Sequence, residues 1–309
     1  MMNHREICKK LVVIVPAYNE GEQIKETISQ LRNLQFDLSR IGFSLQIFVI
    51  DDGSIDDTVL LAEAAGADRI LRHKVNRGLG AAVRTGLTAA RSENVDIVVK
   101  FDADLQHDPH DVLNLIQPIL SGEADLVYGE RFKGLQYKMP LVRRVGNMVF
   151  TALMRWLTGW PLRDSQPGIF AAERAYLQVF RLPGDYNYTQ QVLLDAYHKG
   201  MRFAHVPVVF RKRVSGRSFI TLRYPLKVLP QIFMVIVSVR PMRIFMPIGA
   251  VFFAAGFLVS VIQISSWFLG NTSKPIENVN FVLGSLFFGL QTMFFGVIAE
   301  LIVNRNHDA

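Results

Sequence analysis

From Met246 to Leu269 the chain reads MPIGAVFFAAGFLVSVIQISSWFL, and from Val279 to Ala299 it reads VNFVLGSLFFGLQTMFFGVIA; neither run carries a charge. A helix of about 20 apolar residues crosses a ~30 Å hydrocarbon core. In water the same run would have to be buried on every face, and uncharged stretches of this length are rare in soluble domains. The expectation is two transmembrane helices, about 246–269 and 279–302. The linker GNTSKPIEN is short and rich in turn formers, so the two make a hairpin. Arg240 and Arg243 precede it, Arg305 follows it, and the linker's only cation is Lys274. That bias puts both ends of the hairpin in the cytoplasm. The polar N-terminus MMNHREICKK lacks a signal-peptide core and agrees.

Residues 1–220 have a different texture. LVVIVPAY (11–18), LQIFVIDDGS (45–54), DIVVKFDAD (96–104) and DLVYGER (125–131) are short apolar runs that end in polar residues. Such runs suit strands buried on both faces of a parallel sheet. Helical patterns lie between them. EGEQIKETISQLRNL puts Ile24, Ile28, Leu31 and Leu34 on one face, DDTVLLAEAAG starts at an acidic cap, and GLGAAVRTGLTAARS is rich in alanine. DPHDVLNLIQPIL opens with Asp108 as cap and Pro109 in the first turn. Strand–helix alternation predicts an α/β layer fold. Ligands of such folds bind outside the carboxyl ends of the strands. Between the two parts, residues 221–243 mix apolar side chains with Arg223, Lys227 and Arg240, as interfacial segments do. The domains are therefore 1–220, 221–243 and 244–309.

The strand ends collect polar groups. After the first come Pro16, which would end pairing, then Tyr18, Asn19 and Glu20. After the second, Asp51 and Asp52 could accept hydrogen bonds from a base or ribose, Gly53 permits a turn, and Ser54 or Asp56 could cap the next helix. NRGLGAAVRTG (76–86) is glycine-rich, but GxxxxGK[ST] is absent and the first strand has no GxGxxG. Neither a P-loop nucleotidase nor a dinucleotide oxidoreductase is favoured. In VVKFDADLQHD (98–108), Asp102 and Asp104 would share one face of a regular strand, with Gln106 in the same spacing. Hard cations such as Mg²⁺ take such oxygens together with substrate phosphates. His107 is expected to face solvent or cap a helix, and the competing reading of the stretch is an acidic loop followed by the Asp108–Pro109 cap. Net charge is +7, which suits phosphate or anionic lipid; no nucleic-acid motif accompanies it. One cysteine, Cys8, excludes an intrachain disulfide or a Cys-rich zinc site.

In order, IVPAYNEGEQI, VIDDGSIDDT, NRGLGAAVRTG and FDADLQHDP resemble the motifs of the inverting family 2 glycosyltransferases with the GT-A fold. The likeness covers about residues 10–220. It is greatest to the polyprenyl-phosphate hexose synthases, many of which also carry a two-span tail. The resemblance implies a GT-A nucleotide-sugar-binding (Rossmann-like) catalytic domain with a C-terminal two-helix transmembrane hairpin. It implies donor-nucleotide contacts from Pro16, Ala17, Tyr18, Glu20, Asp51, Asp52, Gly80, Asp102 and Ala103. Asp102, Asp104 and Gln106 would hold Mg²⁺ or Mn²⁺. DSQPGIFAAER (164–174) resembles an acceptor-side motif but departs from it at Pro167, Ile169 and Phe170, leaving Asp164, Gln166 and Gly168 as candidates. FRKRVSGRS (210–218) resembles RxxGxS through Arg213, Gly216 and Ser218, with Phe219 where a lysine usually follows. The processive synthases' QxxRW is not met, since Ala152 stands at the Gln position before Arg155 and Trp156.

A lipid phosphate is anionic near neutral pH and needs cations rather than a catalytic base. Arg131, Arg143, Arg144, Arg211 and Arg213 are the candidates for that phosphate, with Ser218 beside them. The helix MPLVRRVGNMVFTALMRWL (139–157) offers Val145, Met148, Val149, Ala152, Leu153 and Trp156 as an apolar face; it reads either as a core helix or as one lying at a membrane surface. Asp104, Arg131 and Arg213 are the catalytic candidates. The expected reaction is metal-dependent, inverting transfer of a hexose from GDP-mannose or UDP-glucose to a dolichyl or undecaprenyl phosphate at the cytoplasmic face. The alternatives are transfer to another membrane lipid and a non-catalytic nucleotide-sugar-binding membrane protein. The expected partners are the nucleotide sugar, the lipid phosphate and membrane lipids, with no nucleic acid and a homo-oligomer left open.

Overall fold

The computed structural model describes residues 9–131, 144–182, 185, 188–211, 237 and 241–303 in full, and 141–143 and 304–308 by backbone alone. The chain divides into two compact units, Met1–Thr221 and Leu222–Ala309.

In the first unit, β1 (Lys9–Ala17) is followed by α1 (Gly21–Arg32), α2 (Gln35–Arg40), β2 (Phe43–Asp51), α3 (Thr58–Ala64), β3 (Arg69–Arg72) and α4 (Leu79–Ser92). Then come β4 (Ile97–Lys100), α5 (Asp111–Leu120), β5 (Leu126–Glu130) and α6 (Leu141–Thr158). β6 (Phe170–Glu173), α7 (Arg174–Val179), α8 (Tyr188–His198) and β7 (Phe203–Pro207) complete it. The strands form one sheet in the order β3-β2-β1-β4-β6-β5-β7. All neighbours are parallel except β6, which runs antiparallel between β4 and β5.

β1 is buried from Leu11 to Ala17, as its unbroken Val/Ile run requires of a central strand. Alternate residues serve opposite faces. Leu11, Val13 and Val15 join Ile24, Ile28 and Leu31 of α1 and Val112, Leu115 and Ile116 of α5 in one core. Ile14 and Ile50 face α4, whose Gly86 packs directly on them. Chain order reverses at β1: β2 and β3 lie to one side and β4 to the other, so a switch-point crevice opens beyond the ends of β1, β2 and β4.

Three local expectations change. Pairing runs through Pro16 to Ala17 on the β2 side. Pro16 is tolerated because its missing N–H points to the β4 side, where pairing has already stopped at Ile14. β4 ends at Lys100, so Asp102 and Asp104 lie beyond the strand, in a bend where Leu105 has φ +58°. α5 begins at Asp111, after a turn in which Asp108 Oδ1 accepts the His110 N–H at 3.0 Å.

The second unit is a hairpin of α9 (Met242–Phe268) and α10 (Val279–Asp308). Both helices are long and apolar enough to cross a membrane. Phe257, Leu258, Phe287 and Phe294 are among the many large apolar side chains they expose, which is not how core helices of a water-soluble unit look. Backbones approach closely where Gly249 meets Gly289; a Cβ on Gly249 would lie 2.6 Å from the Gly289 carbonyl oxygen. Both ends are latched. Gln263 Oε1 accepts the Glu277 N–H at 2.8 Å near the turn, and Glu300 accepts the Met242 N–H at 3.1 Å at the open end.

Candidate active site at the strand tips

Two loops at the crevice are tied together by side chains. Asn19, held at φ +53°, donates its N–H to Ser54 Oγ at 2.9 Å and accepts the Ile55 N–H at 3.0 Å. The Glu20 N–H reaches Thr58 Oγ1 and the Gly21 N–H reaches Asp56. Asp56 also accepts the Thr58 N–H at 3.1 Å, from one residue before the helix cap, which is Asp57 and makes no side-chain cap bond, so neither Ser54 nor Asp56 is the cap expected. These bonds lower the Asp56 carboxyl against the upward push of its partial burial. Of the expected donor contacts here, Tyr18 is exposed, Glu20 half-buried, and Pro16 and Ala17 buried.

Asp51 and Asp52 are both buried. Asp51 accepts the Ser54 N–H at 2.9 Å and pairs with Arg72 at 3.0 Å. Asp52 bonds His73 Nδ1 at 2.7 Å, the Arg77 N–H at 3.0 Å and the Gly78 N–H at 2.7 Å. His73 Nε2 lies 2.9 Å from Thr85 Oγ1. The Asp52 carboxylate thus shapes the 73–78 loop. Gly53, at φ +80°, lies so close to that loop that a Cβ would sit 2.8 Å from the Val75 carbonyl carbon. Gly80 packs against the backbone of Asp185 rather than lining open space.

At the β4 tip, Lys100 is fully buried and binds Asp102 Oδ1 and, at 2.6 Å, the Gly168 carbonyl. Burial alone would push this ammonium down; the Asp102 carboxylate outweighs it and raises it above the ordinary lysine value. Asp102 Oδ2 lies 3.8 Å from His107 Nε2, and Gly168 packs against both. Ala103 is buried, its carbonyl accepting Thr27 Oγ1 at 3.0 Å. Asp104 is half-buried and accepts the Gln106 N–H at 3.2 Å. Gln106 donates its amide to the Arg211 carbonyl at 2.9 Å, while the Gln106 carbonyl accepts the Arg211 N–H at 2.7 Å. Arg211 also pairs with Asp108 at 2.5 Å. The DxD bend is therefore clasped to the chain following β7.

His107 is buried, between Phe101 and Phe210, and neither faces solvent nor caps a helix. Burial pushes it down to about 4; Asp102 opposes that, and Lys100 and Arg131 reinforce it. An unfolded histidine takes its proton near pH 6.5, so between about 6.5 and 4 the unfolded chain binds more protons and stability is lost as the pH is lowered. Chelator-treated protein should lose roughly 3 kcal/mol through this group between pH 7 and 4. Denaturant melts of His107→Phe should lack that part of the acid limb; an unchanged limb would contradict the assignment.

Arg131 and Asp164 are brought together, both buried, in a two-point pair at 2.7 and 3.1 Å. Asp164 also accepts Asn147 of α6 and the Gln166 N–H. Burial alone would raise its carboxyl; the Arg131 guanidinium outweighs that and holds it below the usual range. α6 turns Asn147 and Thr151 inward to this loop and points Arg144 outward. Its outward apolar residues are exposed: Val145 52 %, Met148 60 %, Val149 51 % and Trp156 52 %. The Arg143 side chain, Arg213 and Ser218 lie outside the described residues.

Sequence reasoning missed Lys100, His73 and Arg72. A lysine inside the apolar DIVVKF run was a readable signal for the first; the other two sit in segments without a marked pattern.

For a divalent cation, Asp102 and Asp104 supply hard oxygens in one short bend, as Mg²⁺ and Mn²⁺ favour. Among the described residues no cluster of three His, Cys, Asp or Glu side chains stands ready. The donor set thus fits a cation shared with a ligand's phosphates. Gln106, its amide nitrogen committed to Arg211, would offer only its carbonyl oxygen.

Residues 12–180 match the family described as Glycosyl transferase family 2. The chain is 31% identical over 221 residues to a UDP-N-acetylglucosamine–dolichyl-phosphate N-acetylglucosaminyltransferase of Methanococcus voltae, covering 65% of this chain and 85% of that one. It is 29% identical over 224 residues to a polyprenol monophosphomannose synthase of Mycolicibacterium smegmatis, covering 68% and 80%. Its fold resembles that of glucosyl-3-phosphoglycerate synthase from Mycobacterium tuberculosis, crystallised with Mn²⁺, UDP and phosphoglyceric acid, with TM-score 0.58, 25% identity and coverage of 74% of this chain and 78% of that one. A seven-stranded mixed sheet with polar groups gathered at its strand tips, matched by sequence across more than half the chain, makes this a GT-A glycosyltransferase that belongs to glycosyl transferase family 2.

Proposed function

We propose that the protein transfers a hexose, mannose or glucose, from a nucleoside-diphosphate sugar to a polyprenyl phosphate at the cytoplasmic membrane surface, with inversion at the anomeric carbon. The observation that carries this reading is the apolar hairpin in one chain with a family 2 catalytic unit. An enzyme anchored in the bilayer meets a lipid acceptor in two dimensions. The names of the relatives, which include dolichyl-phosphate and polyprenol transferases, support the same acceptor class. One of them uses N-acetylglucosamine, which widens the sugars to be tested.

In this reading the phosphate oxygen of the lipid attacks the anomeric carbon, the bond to the diphosphate breaks, and the nucleoside diphosphate leaves. The attacking oxygen is already anionic, so no side chain has to deprotonate it. A bound Mg²⁺ or Mn²⁺ would neutralise charge on the leaving diphosphate. Asp102 and Asp104 would hold that cation's protein side. Asp51 and Asp52 would act on the nucleoside side by keeping the 53–58 and 73–78 loops in shape. The exposed apolar face of α6, with Arg144 beside it, suits contact with headgroups. Positive residues bracketing the hairpin favour both ends on the cytoplasmic side.

The test is to incubate detergent-solubilised protein with labelled GDP-mannose, UDP-glucose and UDP-N-acetylglucosamine, each with dolichyl or undecaprenyl phosphate, with and without Mn²⁺, reading lipid products by mass. One donor should give a cation-dependent glycosyl phosphate lipid. Product formed equally well on a lipid without phosphate would move the acceptor to another class.

A further inference from the structure

A lysine with no exposed surface sits at the last position of β4, paired with Ile14 of β1 and Phe170 of β6. Burying an ammonium costs several kcal/mol before its partners are counted. Asp102 does not require it, because its side chain is 24% exposed and could be hydrated. Replacing a buried pair by apolar residues is often neutral or stabilising, so stability alone does not account for Lys100. Its donors reach Asp102 Oδ1 and the Gly168 carbonyl, and the ammonium lies 5.5 Å from the centroid of the Tyr188 ring. Those partners belong to three separate segments: the DxD bend, the 164–168 loop and the start of α8.

We propose that Lys100 is a positioning residue that fixes the rotamer of Asp102 and joins the DxD bend to the 164–168 loop. The inference rests on the donor-diphosphate reading of the DxD bend. With Oδ1 held by the ammonium, Oδ2 is the carboxylate oxygen left for a cation. The neighbouring wall is set as well, since Gly168 packs against Asp102 Oδ2 and His107 Nε2 with no room for a Cβ. Tethering Gly168 to the same ammonium keeps that wall in place. A misplacement of about 1 Å at a reacting centre costs about 10²-fold in rate.

The experiment measures Mn²⁺-dependent binding of UDP and GDP by calorimetry, together with kcat and KM for the donor that turns over. Lys100→Met should weaken Mn²⁺·nucleoside diphosphate binding about tenfold and lower kcat about 100-fold. Binding and kcat within threefold of wild type in folded Lys100→Met overturn the proposal. Where the lone Asp102 charge prevents folding, the double variant Lys100→Met/Asp102→Asn removes it. A residue that acts through Asp102 should add nothing to the binding loss of Asp102→Asn alone; a further tenfold loss in the double variant overturns the proposal. Wild-type protein that binds neither diphosphate with Mn²⁺ removes the donor reading and this inference together. Wild-type protein that binds one but makes no lipid product removes only the acceptor assignment.

Discussion

Asp104→Ala should lower transfer about 10³-fold while the protein still folds and enters membranes. The rate estimate follows from the several kcal/mol that charge stabilisation at a leaving diphosphate is worth, at about 1.4 kcal/mol per tenfold. The folding estimate follows from position. Asp104 lies beyond the end of β4, half-buried, and accepts the Gln106 N–H at a long 3.2 Å. Its removal leaves no cavity in the sheet. The check pairs a turnover assay at saturating Mn²⁺ with a thermal melt. Turnover within tenfold of wild type would return the DxD bend to an acidic loop with no part in the chemistry.

Arg131→Ala should act in the opposite sense, on the fold first. Arg131 and Asp164 are buried and bonded at two points, with Asn147 and the Gln166 N–H completing the shell around the carboxylate. Removing the arginine strands a buried anion, which costs about 3–5 kcal/mol. In a unit of this size that is a fall in Tm on the order of 10 °C. The double change Arg131→Met/Asp164→Leu should recover most of the Tm because both charges leave together. If Arg131→Ala kept its Tm and lost activity, the guanidinium would have to act on a ligand instead of on Asp164.

The contrast between these two sites reflects what a sequence can display. The strand tips were legible because a buried parallel strand is a continuous apolar run, and the change to Asp51–Asp52 or Asp102–Asp104 marks its end. The hairpin was legible for the same kind of reason. β6 was not, since the four residues FAAE carry no period long enough to read and their place is decided by pairing with both β4 and β5. Arg131 and Asp164 were each marked as acceptor-side candidates, but their mutual bond joins residues 33 positions apart through tertiary packing. Lys100 was hidden in plain view as the fifth letter of DIVVKF. Burial of His107 depended on Phe210, which arrives from beyond β7.

The loop between His73 and Gly78 carries a consequence of its own. It is shaped by protein groups: Asp52 takes two of its backbone N–H groups and one ring nitrogen of His73, while Thr85 takes the other ring nitrogen. A binding loop that must be ordered by its ligand draws on the ligand's affinity to do so, at about 0.5–1.5 kcal/mol per immobilised side chain. Here the ordering is done during folding. A nucleotide bound against this loop would keep that free energy as affinity, and its arrival rate would not wait on a loop rearrangement.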